Sequence, residues 1–318
     1  MNLPPAPSPV PVCVSARCCP TNRPAPATPE VLVVQSPVPP RPLTRRTLAV
    51  AGGLLTTAAL LTAAPTAHAA APGAGSGITH PDQDWMGSTV AAHEGRSAAG
   101  DPITLTPNVT QTKGFDVSHW QGGINWATQY GKGARFVYIK ATESTDYRDP
   151  NFNANYTGSY NAGFIRGAYH FATPNTSTAK AQADYFVAHG GGWSKDGKTL
   201  PPMLDIEYNP YGATCYGKSQ ADMRTWITNF LNEVHTKTSR WATIYTTTDW
   251  WTTCTGNSAA YSSKDPLFIA RYNSTVGTLP AGWGFYTFWQ FADSGTFPGD
   301  QDRFNGPLSG LKNLANNT

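Results

Sequence analysis

Short runs of β-favouring residues recur through the chain from Lys113 onward, separated by stretches of helical length. No other feature narrows the fold so far. The runs are Gly114–Val117, Phe136–Ala141, Gly167–Ala172, Met203–Glu207, Ala242–Thr246, Pro266–Arg271 and Phe285–Phe291, with a last one near Asp300–Phe304. Between two of them, Ser219 to Lys237 carries Met223, Trp226, Ile227, Phe230, Leu231 and Val234 at spacings of one, three or four, the pattern of an amphipathic helix. Strand and helix alternating about eight times over roughly two hundred residues predict an α/β fold, a flattened and incomplete (β/α)8 TIM-like barrel. That length is short for a full barrel, so some helices must be abbreviated or missing. The connection Gly131–Ala134 and the segment after Trp283 are where this is expected.

Chemistry in such a barrel gathers at the carboxyl ends of the strands. Asp116, Lys140 with Glu143, His170, Asp205 with Glu207, and Arg271 all fall there. Asp205 and Glu207 are two residues apart at the end of an apolar run, so in a strand both point to one face while Ile206 points to the other. Neighbouring carboxylates raise one another's cost of ionisation, and one proton-bearing acid beside one charged acid is what glycosidic bond cleavage needs. Two solvated acids at a loop edge are the simpler alternative for an isolated D-x-E. Asp116 reads either as a turn or cap acid or as a third carboxylate facing the pair. His119 and His170 read as packed or hydrogen-bonding groups, since carboxylates already supply the acid–base pair. Trp250, Trp251 and Trp289 suit a core plug or a sugar platform equally.

The ends and the composition bound the rest. Arg45-Arg46, the small and apolar run Leu48–Ala64, and Ala67-His68-Ala69 have the order of an export signal with its cleavage site, of secretory or twin-arginine type. Residues 1–70 are therefore expected to be a leader and signal peptide, and the protein to be secreted with no stable membrane association. Residues 71–112 are rich in Gly, Ala, Ser, Thr and Pro and read as a linker or loosely packed N-terminal arm, with Trp85-Met86 able to pin it; residues 113–318 are the barrel domain. Without the leader the chain has 18 basic against 19 acidic residues, which leaves no electrostatic footprint for nucleic acid or an anionic membrane. Of five cysteines, Cys13, Cys18 and Cys19 fall in the leader, so Cys215 and Cys254 are expected to form one disulfide. No Cys or His cluster has metal-site spacing, and neither metal nor cofactor is expected.

Five segments in order resemble the motifs of glycoside hydrolase family 25, the Chalaropsis-type lysozymes, nearest in kind to the secreted single-domain muramidases of actinomycetes. They are Asp116-Val117-Ser118-His119-Trp120-Gln121, Tyr138-Ile139-Lys140-Ala141-Thr142-Glu143, Arg166-Gly167-Ala168-Tyr169-His170-Phe171, Leu204-Asp205-Ile206-Glu207 and Phe288-Trp289-Gln290-Phe291. The likeness extends to Cys215-Tyr216-Gly217 and Trp250-Trp251-Thr252-Thr253-Cys254, and covers Gly114 to about Asn313. It implies hydrolysis of the β-1,4 bond between N-acetylmuramic acid and N-acetylglucosamine in bacterial peptidoglycan glycan strands, by a monomer that needs no cofactor. It also implies Glu207 as general acid, with Asp205 and Asp116 as the other catalytic carboxylates. Tyr138, Glu143, Tyr169, Trp289 and Asp300 would contact substrate. Asp300 enters through the tail Asp300-Gln301-Asp302-Arg303-Phe304-Asn305-Gly306, in which Asp302 stands where Asn is usual. Two routes stay open: Asp205 charging the substrate's own acetamido group, or Asp116 or Asp205 activating water. The competing functions are a chitinase-like glycosidase, whose longer run of alternating acids is here replaced at Pro202 and Leu204, and a catalytically silent carbohydrate-binding barrel.

Overall fold

The computed structural model describes residues 84–97 and 110–317, all within one compact unit, Thr66–Thr318. The leader and the rest of the 71–112 arm lie outside the described residues. Nine strands form one sheet: β1 (Thr112–Val117), β2 (Phe136–Glu143), β3 (Tyr147–Arg148), β4 (Ile165–Phe171), β5 (Met203–Asp205), β6 (Thr243–Thr246), β7 (Leu267–Ala270), β8 (Phe288–Ala292) and β9 (Asp300–Phe304). Their order is β1-β9-β8-β7-β6-β5-β4-β2-β3, and parallel pairing of β1 with β2 closes eight of them into a barrel, leaving β3 as a flap on β2. All eight expected runs are strands. The exception to the parallel pattern is β9, antiparallel to both neighbours. The turn 293–299 is too short for the crossover that a parallel strand would need.

Helices α2 (Trp126–Gly131), α3 (Phe152–Asn161), α4 (Ala179–Ala188), α5 (Gln220–Thr238) and α6 (Thr248–Thr255) surround the barrel, and α7 (Leu308–Asn316) follows β9. The helix α2 is cut to 6 residues and no helix joins β7 to β8, the two places where the sequence is too short for a full unit. The predicted amphipathic helix is α5. Ser219 Oγ accepts from the Asp222 N–H to cap it, and its six predicted apolar residues are all buried. Among the described residues no helix is long and apolar enough to cross a membrane.

Strand alternation divides the core in two. Phe136, Tyr138, Ile165, Tyr169, Met203, Tyr245, Phe268, Phe288 and Phe304 fill the barrel, while Phe115, Val137, Ile139, Leu204, Ile244, Ile269 and Trp289 pack outward. Cys215 and Cys254 are bridged, with Cα atoms 5.3 Å apart, and tie the loop after Glu207 to α6. For a separation of 39 residues the chain-entropy contribution is at most about 4 kcal/mol. Replacing both cysteines by Ala is expected to lower the Tm and leave no disulfide to reduce in the unfolded chain. Two free thiols titrated in the unfolded protein lacking residues 1–70 would refute the bridge.

Candidate active site

Parity brings the acids together. In β5 Met203 and Asp205 face the barrel axis and Leu204 and Ile206 face outward. The ladder ends at Asp205, two residues before the end of the expected strand, yet the Ile206 N–H still donates to Tyr245 O at 3.1 Å. The chain therefore stays extended and Glu207 turns inward beside Asp205. Asp116 at the end of β1 lies opposite Asp300 of β9 in the ladder, and Asp302 lies one inward position deeper. Asp116, Asp205, Glu207, Asp300 and Asp302 are all buried at one mouth of the barrel.

Burial governs their charge. It raises Asp116 to about 8 against the opposing Gln290 amide, which donates to Asp116 Oδ2 at 2.9 Å. It raises Glu207 to about 7, and raises Asp205 well above the carboxylate range with Glu207 as the next cause. Asp300 and Asp302 are also raised, by burial and then by Asp116. Neither Asp205 oxygen has a hydrogen-bond partner among the described residues, an unusual state for a fully buried carboxyl. Glu207 differs: its Oε1 accepts from the Gly87 N–H at 2.6 Å and its Oε2 from Thr89 Oγ1 at 2.7 Å.

These raised values also bear on stability. Each carboxyl binds its proton more tightly folded than unfolded, so folding is favoured most below the unfolded value near 4. That advantage is lost as pH rises through the folded values, about 7 for Glu207 and about 8 for Asp116. Each group can remove up to about 1.4 kcal/mol per pH unit in that window. The Tm is expected to fall between about pH 5 and 8, and less steeply in Asp302→Asn. A Tm that climbs over the same range would overturn this balance.

Other expected residues divide by depth and parity. Tyr169 points into the mouth, close enough to Asp116 and Asp205 for both to raise its phenol. Glu143 is buried and ion-paired with Lys140 at 2.7 Å, and accepts from Tyr211 Oη at 3.0 Å. The two meet because β2 slips register between Lys140 and Thr142, a bulge that returns Glu143 to the inner face. Tyr138 is also inward but sits deeper, its hydroxyl donating to Pro201 O at 3.1 Å, which makes it a packing residue. Trp289 faces away from the barrel, is buried, and donates its indole N–H to Arg271 O at 2.9 Å; the inward residue of that motif is Gln290. His170 and Arg271 likewise have outward parity. His170 is buried against Phe186 and Phe230, bonded to Thr142 and Gln182, and lowered to about 4 by burial.

Three residues at the mouth escaped sequence reasoning: Tyr245, Tyr272 and Gln290. Gln290 Oε1 accepts from Tyr245 Oη at 2.6 Å and Tyr272 Oη at 3.1 Å, and its Nε2 donates to Asp116 and Asp300. The signal was available in the parity of Phe288 and Gln290, which exposes the amide, rather than the indole of Trp289, to the interior. Among the described residues no three or more His, Cys, Asp or Glu side chains are placed to hold a metal ion.

A cluster of buried, proton-retaining carboxyls at the carboxyl-end mouth of a β/α barrel defines a glycosidase-type acid–base site. Residues 115–300 match Glycosyl hydrolases family 25. Lysozyme M1 of Streptomyces globisporus is 47% identical over 282 residues, 86% of this chain and 96% of its own. The muramidase from Acremonium alcalophilum is 58% identical with a TM-score of 0.64, covering 65% of this chain and 100% of that one. A bacterial lysozyme from Streptomyces coelicolor is 50% identical with a TM-score of 0.64, covering 66% and 99%. The chain belongs to glycosyl hydrolases family 25 and is a glycoside hydrolase.

Proposed function

We propose that the protein is an exported muramidase that cleaves the β-1,4 bond between N-acetylmuramic acid and N-acetylglucosamine in bacterial peptidoglycan. One observation carries the reading: Glu207 and an Asp205 whose oxygens have no partner among the described residues are buried side by side, so that burial and mutual repulsion keep a proton on the pair. Glu207 protonates the leaving glycosidic oxygen. Asp205 accepts the acetamido N–H of the muramic acid residue, so that the acetamido oxygen attacks the anomeric carbon and a cyclic intermediate forms. Water then opens that intermediate, returning a proton to Glu207. Substrate assistance is a recognised departure from the two-carboxylate scheme, and a backbone spacing of roughly 6 to 7 Å, which straddles the retaining and inverting separations, accommodates it.

Asp116 and Asp300, held by Gln290, add acceptors at the same mouth, and Tyr169 and Glu143 are proposed as further contacts to the glycan. The sequence signal for export and the Cys215–Cys254 bridge support an extracellular enzyme acting on peptidoglycan, which we take to work as a monomer. The test is to incubate the barrel, residues 110–318, with bacterial walls and identify the new reducing-end sugar. Muramic acid is the expected product; glucosamine would support a chitinase-like specificity, and no new ends a silent binding barrel.

A further inference from the structure

The mouth that should receive a glycan already holds a peptide. Residues 84–97, with the short helix α1 (Val90–Glu94), cross it, and Met86 is fully buried among the tyrosines of the barrel interior. Its backbone bonds to the site on both sides. The Met86 N–H donates to Tyr169 Oη at 3.3 Å and Met86 O accepts from Gln290 Nε2 at 3.3 Å, while Gly87 O accepts from Tyr272 Oη at 3.1 Å. The Gly87 N–H and the Thr89 hydroxyl occupy both oxygens of Glu207. Further along, His93 stacks on Tyr208 at 3.9 Å and Glu94 accepts from the Tyr208 hydroxyl at 2.7 Å. A sugar cannot reach Glu207 past these atoms.

We infer that residues 84–97 are an inhibitory segment, an intramolecular peptide ligand of the carboxylate mouth that holds the enzyme inactive until the segment is displaced or removed. The inference rests on the muramidase assignment. Three further observations support it. Gly87 has φ +88, and a Cβ there would lie 2.9 Å or closer to the Tyr245 and Tyr272 hydroxyls and Gln290 Oε1, so the fit is built for glycine. Two donors to Glu207 stabilise its anion while Asp205 has none, which puts the proton shared by the pair on Asp205, the reverse of what catalysis requires. Finally, the Acremonium and Streptomyces coelicolor enzymes are matched over 99–100% of their length by 65–66% of this chain, so the fold is complete without the segment. The match to Lysozyme M1 runs over 282 residues, more than the barrel holds, and so extends into the N-terminal region.

The test uses the full chain carrying a site-specific protease sequence inserted between Ser97 and Thr112. Cutting and removing the released peptide is expected to raise hydrolysis of soluble peptidoglycan fragments by about tenfold or more. Gly87→Ala in the uncut chain, which cannot seat the segment, should give a rise of the same order. A synthetic 84–97 peptide should inhibit the cut barrel competitively. Equal activity before and after cutting, with Gly87→Ala silent, overturns the inference. If the cut barrel hydrolyses nothing, the muramidase assignment fails, and binding of a fluorescent 84–97 peptide decides the segment's role. Displacement of that peptide by glycan fragments upholds occupancy of a sugar site, and absence of binding overturns it.

Discussion

Glu207→Gln in the barrel freed of residues 84–97 lowers muramidase turnover by about a hundred- to ten-thousand-fold, the loss expected when a positioned general acid is removed. Gln matches the carboxyl in volume and can accept a hydrogen bond, but it has no proton to give to the leaving oxygen. The fold should be untouched, because the substitution also removes one of the buried carboxyls whose ionisation costs stability; above pH 7 the variant should melt no lower than wild type. The pH profile supplies a second reading of the same proton. With residues 84–97 gone, Glu207 no longer has the Gly87 and Thr89 donors that favour its anion, so kcat/KM of the freed barrel should fall on the alkaline side as Glu207 loses its proton and on the acid side as its partner carboxyl is protonated. In Glu207→Gln the alkaline limb should disappear from the residual activity. Near-normal turnover in this variant would sink the assignment, and so would a wild-type profile flat from about pH 4 to 9.

Where sequence reasoning succeeded, it used period and parity. The eight barrel strands, the helix α5 and the shared face of Asp205 and Glu207 all follow from alternation, a local property that survives folding. The Cys215–Cys254 bridge followed from counting in an oxidising compartment. The failures are nonlocal. A single bulge at Ala141 changes the phase of β2 and brings Glu143 onto Lys140, and nothing in Ala-Thr-Glu announces it. Tyr138 has inward parity but the wrong depth, which depends on strand stagger around a closed barrel. Trp289 entered as a substrate contact through the family resemblance, and its parity points it outward. Trp85-Met86 was legible as a pin for the arm, and Met86 is buried in the barrel; the seat of Gly87 in the mouth was not, because 71–112 has the composition of a linker and the fit depends on three tyrosines and a glutamine drawn from four strands or strand ends.

Asp205→Asn should also lower turnover by about a hundred- to ten-thousand-fold, for a different reason, and the difference separates the two routes. If Asp205 orients and charges the substrate's acetamido group, the amide still fits but cannot stabilise the positive charge that grows on the acetamido nitrogen as the cyclic intermediate forms. The nucleophile is then part of the substrate, and an added small anion has no vacated position from which to attack. Azide should therefore not restore activity to Asp205→Asn, and wild-type enzyme should release product with the β configuration retained, as followed by NMR of the anomeric proton. Were Asp205 instead the base that activates water, wild type would invert the anomeric centre. Were it a nucleophile, azide would rescue Asp205→Asn and yield an α-glycosyl azide. Either result overturns substrate assistance while leaving Glu207 as the acid. The oxygens of Asp205, which accept from no donor among the described residues, are open to the N–H that the substrate brings in the first route.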